Sequence, residues 1–231
     1  VRALDADLVA ALKARLALGA PSDRFGETDA LRAAVRAGAT AAERRLTLWT
    51  FRELLALSRP PVEVAAWSGK VDPDRVRDLA RARFGSPARL RRVPKAEDAL
   101  AAAEQGGAAV LALDPDQPWW AKLLARPRLK ATGVLPELAI DGPPAALVIE
   151  AVFPEPGGDD RTLWVTDAAV APAAVEAALS DASLVGDLLL QAGGLKLFQL
   201  YGYVQPADAR LARAPGRLQG VIGAAPAPFD A

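Results

Sequence analysis

Cysteine, histidine and methionine are all absent from this chain of 231 residues. Without them there are no disulfides, thiol nucleophiles, imidazole bases or usual zinc ligands, so any chemistry rests on arginine, lysine, carboxylates and hydroxyls. Net charge is missing too: 28 basic residues balance 28 acidic ones, and no global field draws the chain toward nucleic acid or an anionic membrane. No apolar run reaches the roughly 18 residues of a membrane span. No charged-then-apolar leader precedes the first helical stretch, so a cytoplasmic address is expected. No metal or cofactor is expected, and neither nucleic acid nor membrane is expected as a partner.

What is present is apolar: 52% of the residues are hydrophobic, enough for one large domain or two to three small ones. Residues 1–19 have a helical pattern, with Leu4, Leu8, Ala11 and Leu18 as an apolar seam and Arg15 among them. A cation on such a seam needs an anion, either a neighbouring carboxylate or a bound ligand. A second helix is predicted from about Glu27 to Arg36. A third follows Thr40, with Glu43 placed as in a capping box, and ends before Pro60 and Pro61. Roughly sixty residues make a poor core alone, which predicts dimerisation through these helices.

Residues 60–71 read as a linker. Asp72 and Pro73 then open a helix that stops at Gly85. Strands near 90–93, 108–113 and 129–135 alternate with helices at 96–104 and 119–125, an α/β pattern. The basic group Arg75, Arg77, Arg81, Arg83, Arg89, Arg91, Arg92 and Lys95 reads as a solvated face. Gly157 to Arg161 reads as a turn, and Trp119 and Trp120 as one core residue and one half-buried anchor. From Arg161 the order is βαββαβ, with strands at 161–166, 184–191, 195–204 and 218–224 and helices at 172–180 and 207–212.

The first sixty residues resemble the all-helical type of chorismate mutase. Leu4, Asp5, Leu8, Val9, Ala11, Leu12 and Arg15 fall in register with that family's first helix, and Leu48, Trp49, Phe51, Arg52, Glu53, Leu54, Leu55 and Ser58 with its third. More faintly, Phe84, Gly85 and the Glu104 to Leu113 stretch resemble the prephenate dehydratase chain, and the βαββαβ end is similar to an ACT-type regulatory domain, with Gly202 near the end of its third strand. The resemblance implies an α+β multidomain protein: a three-helix chorismate-mutase-like domain over 1–60, an α/β dehydratase-like segment over 72–142 and an ACT-like domain over 145–231.

Chorismate mutase converts chorismate to prephenate in one pericyclic step, so a protein accelerates it by holding a compact conformer and stabilising charge, with cations gripping two carboxylates. The resemblance places Arg15 on one carboxylate, Arg24 on the second, Glu27 toward the hydroxyl and Ser58 at the rim. The family's first-helix arginine has no counterpart in the chain. Its lysine beyond Arg15 falls at Gly26, and its glutamine or glutamate after the serine falls at Val62. The dehydratase's catalytic Thr-Arg-Phe falls at Pro144, Ala145 and Ala146, so dehydratase activity is not expected. Two functions stay open: a homodimeric mutase acting on a small anionic substrate, or a non-catalytic dimeric sensor of an aromatic amino acid or partner enzyme.

Overall fold

The computed structural model describes residues 2–19 and 24–231, without the side chains of Arg2, Arg24 and Phe25. Three helices come first: α1 (Arg2–Ala17), α2 (Arg24–Arg36) and α3 (Ala41–Leu57). The capping box is formed. The Glu43 amide donates to Thr40 Oγ1 at 3.2 Å, and the Thr40 amide donates to the Glu43 carboxylate at 3.3 Å, which satisfies two donors a helix start leaves open.

The expected linker holds a strand. β1 (Glu63–Trp67) sits between β2 (Arg89–Arg92) and β3 (Ala108–Ala112) and is parallel to both. Val64 to Trp67 are all buried. A strand covered on both faces needs no apolar–polar alternation, so four apolar residues behind two prolines carry no period to recognise. Helix α4 (Pro73–Phe84) starts at Asp72, whose side chain accepts from the Asp74 amide at 2.9 Å. It covers one sheet face through Val76 and Ala80, while α5 (Ala96–Glu104) covers the other through Ala99, Leu100 and Ala103.

Strands β4 (Lys130–Leu135) and β5 (Ala146–Glu150) follow, then β6 (Asp160–Thr166), α6 (Pro172–Asp181), β7 (Gly186–Ala192), β8 (Leu195–Tyr201) and β9 (Gln219–Pro226). All nine strands form one sheet in the order β2-β1-β3-β5-β4-β9-β6-β8-β7. The molecule is therefore α+β. The boundary expected at 142–145 falls inside this sheet, because β5 pairs antiparallel with both β3 and β4. Within the last four strands β8 lies between β6 and β7, the split βαβ arrangement that the βαββαβ order predicts.

Three further expectations need correction. Residues 119–125 form a 3-10 helix in which Trp119 and Trp120 are both buried; the Trp119 indole N–H donates to the Ala112 carbonyl at 2.6 Å. The helix expected at 207–212 is only a 3-10 turn over Leu211–Arg213. Asp208 accepts there from the Arg210 amide at 2.9 Å, a local bond that competes with helix formation. The three N-terminal helices also lack a separate core: Leu31, Val35, Leu48 and Leu55 pack with Leu138 and Phe229. Meanwhile the α1 seam faces outward, with Leu4, Leu8 and Leu18 at 72%, 59% and 81% exposure.

Candidate functional site

A cavity of about 160 Å³ opens between α2, α3, α4 and the strands β4, β5, β6 and β9. Two features bring its walls together. Gly85 ends α4 at φ +72°, and a Cβ there would stand 2.6 Å from the Ala56 Cβ, so the close approach of α4 to α3 requires glycine. On the opposite wall the Gly157 amide donates to the Asp160 carboxylate at 2.6 Å, and Arg32 donates to the Asp159 carbonyl at 3.1 Å. The Gly157 to Arg161 stretch is thus a braced turn.

The lining is strongly charged: Arg52, Arg59 and Arg83 stand among Glu27, Glu137, Glu150, Glu155 and Asp160. Arg52, only 5% exposed, is the centre of the network. Its Nε and one terminal nitrogen donate to the two Glu137 oxygens at 2.9 and 2.6 Å, and the other terminal nitrogen donates to Glu27 at 2.8 Å. Arg59 donates to the second Glu27 oxygen at 2.6 Å. Arg83 behaves differently. Its side chain is 17% exposed and its Nε lies 3.5 Å from Glu137, yet it makes no hydrogen bond among the described residues. Phe84, Leu55, Val62 and several prolines supply the apolar part of the wall.

Burial and charge act against each other here. Burial pushes the Glu27 carboxyl up, but Arg52, Arg83 and Arg59 together hold it below its ordinary value. Burial pulls Arg83 down, and Glu137, Glu27 and Glu150 more than offset this. For Arg52, burial and the neighbouring Arg83 win, and its value is lowered. Asp160 is raised, chiefly by burial.

Of the residues singled out from the sequence, Glu27 lines the cavity. Arg15 is half-buried and donates to the Gly19 carbonyl at 2.7 Å, closing the end of its own helix. Ser58 Oγ donates to the Leu54 carbonyl at 2.7 Å, next to Arg59 in the chain. The Arg24 side chain lies outside the described residues. No hydrogen bond or ion pair among the described residues joins Arg15, Glu27 and Ser58 to one another. No family model, curated protein or solved structure matches the chain.

The sequence carried a signal for Arg52, which stands beside the Leu48, Phe51 and Leu55 stripe just as Arg15 stands on its seam. Arg83 was assigned to a solvated basic face. The rest of that group is exposed as expected, and Arg83 alone turns inward. Glu137, Glu150, Glu155 and Asp160 come from loops and strand ends that only the sheet order brings together. Asp114 to Pro118 is a closed loop: the buried Asp114 carboxylate accepts from the Lys70 and Asp116 amides at 3.0 and 2.9 Å. Among the described residues no acidic group is arranged to hold a metal ion, and no helix is long and apolar enough to cross a membrane.

Proposed function

We propose that the chain is a non-catalytic, dimeric sensor that binds a small amino-acid-like ligand, aromatic in type, in the cavity beneath α2 and α3. One observation carries this. Arg52 is bonded to Glu27 and Glu137, Arg59 is bonded to Glu27, and the lining carboxylates outnumber the arginines. A dianion such as chorismate needs uncommitted cations for both carboxylates and for the charge that develops on its ether oxygen. This cavity favours a ligand that brings its own positive charge.

Chorismate mutase activity in a dimer is the alternative, and the uncovered α1 seam favours it. A second copy packed on Leu4, Leu8 and Leu18 would bury Arg15 and surround it with a partner's residues. Chorismate absorbance separates the two functions. For the sensor, adding the protein leaves chorismate decay at its background rate, while calorimetry with phenylalanine or tyrosine shows binding heat. Turnover that Arg15→Ala abolishes would establish the isomerase and overturn the sensor. Absence of both turnover and heat would sink both.

A further inference from the structure

The cavity wall holds one cation that the protein pairs only loosely, Arg83, with an ion pair to Glu137 at 3.5 Å and its guanidinium 5.6 Å from the centre of the Phe84 ring, and one carboxylate, Glu155, with no hydrogen bond or ion pair among the described residues. A guanidinium offers five N–H donors in a planar fork that matches a carboxylate. Arg52 spends its fork on Glu137, and Arg59 donates to Glu27. Arg83 reaches Glu137 only at 3.5 Å and makes no hydrogen bond among the described residues, although its Nε is sealed from solvent. Desolvating such donors without pairing them is unfavourable, and a ligand oxygen would satisfy them.

The carboxylates sort the same way. Glu27 and Glu137 accept from arginines, Glu150 accepts from Thr132 Oγ1, and Asp160 accepts from the Gly157 amide. Glu155 is exposed at the cavity wall and makes no hydrogen bond or ion pair among the described residues. It is held in place between Pro154 and Pro156, and the Pro154 carbonyl accepts from the Tyr203 hydroxyl at 2.8 Å.

We infer that Arg83 and Glu155 form a clamp for a zwitterion: Arg83 takes the carboxylate of an α-amino acid, Glu155 takes its ammonium group, and the side chain lies against Phe84, Leu55 and Val62. This rests on the reading of the cavity as a ligand site and adds the chemical class and the two recognising residues. Two opposite charges in one lining select for a ligand that carries both and select against one that carries either alone.

Calorimetry on the full chain with three probes tests it: phenylalanine, 3-phenylpropionate, which lacks the amine, and phenethylamine, which lacks the carboxylate. Phenylalanine is expected to bind at least about tenfold more tightly than either analogue, one factor of ten for a lost charged contact. Arg83→Gln should weaken phenylalanine and phenylpropionate and spare phenethylamine. Glu155→Gln should weaken phenylalanine and phenethylamine and spare phenylpropionate. Because Glu155 is exposed, that variant stays folded even if Arg83→Gln does not. Equal loss for all three probes, no loss, or phenylpropionate binding as tightly as phenylalanine overturns the clamp while leaving a binding site in place. If none of the probes binds the unaltered chain, the cavity is not an amino-acid site and the clamp falls with it.

Discussion

Glu27 accepts from both Arg52 and Arg59, and this makes it the most consequential carboxylate of the network. Its folded-state pKa is lowered, against burial, by the arginines around it. A group shifted this way contributes stability above its unfolded value near 4.5 and loses it as pH falls through the folded value. Asp160 is shifted the other way, so its contribution has the opposite sign. Urea unfolding of Glu27→Gln and the unaltered chain between about pH 7 and about pH 3 isolates Glu27, because Asp160 is common to both. Glu27→Gln is expected to be about 3 kcal/mol less stable at neutral pH, since it leaves buried cations short of a partner, and the gap should narrow in acid. A gap independent of pH would show that Glu27 carries no charge-dependent stability. The sequence pointed to Arg15 by its place on an apolar seam, and the same logic applied to Arg52 leads to the cavity. Arg83 carried the same signal, since it follows Val76, Leu79 and Ala80 at helical spacing on the apolar face of α4 while Arg77 and Arg81 lie off that face; the partner it meets, Glu137, depends on the tertiary fold.

At the scale of elements, what is legible is whatever short-range chemistry dictates. The Thr40 and Glu43 box, the Asp72 and Pro73 start and the Gly85 stop all form as the spacing predicts. β1 was hidden because four apolar residues fit a buried strand and a linker equally well. The 207–212 helix failed because the Asp208 bond to the Arg210 amide outcompetes a short helix. Helix α1 behaves like an element awaiting a partner: Leu4, Leu8 and Leu18 face outward, while the end of the helix is closed by Arg15. If a second copy covers this seam, Leu8→Glu converts a dimer into a monomer in sedimentation at micromolar concentration without changing the helical circular dichroism. A chain that is already monomeric before the substitution would remove the dimer.

For the whole molecule, the order of the strands decides everything that sequence patterning leaves open. Most elements of the α/β half and of the βαββαβ half are legible one by one, apart from β1 and the two 3-10 segments, but nothing in either foretells that β4 and β9 pair. That seam has one register pair, Ala131 with Gly223, and a Cβ on Gly223 would overlap the Ala131 carbonyl oxygen. Gly223→Val is therefore expected to cost about 3 kcal/mol, the upper part of the usual range for overpacking, and to act on the entire sheet. Thermal unfolding of the unaltered chain should be a single cooperative transition. Two separate transitions would mean that the halves on either side of this seam are independent.

Phe229 completes the core of the N-terminal helices, and Arg36 donates to the Ala231 carbonyl at 2.8 Å across 195 residues of chain. Ribosomes add roughly 5–20 residues per second, so α2 and α3 emerge on the order of ten to forty seconds before the residues that finish their packing. These helices are made long before they are completed, and through that interval their leucines remain available to whatever meets the nascent chain.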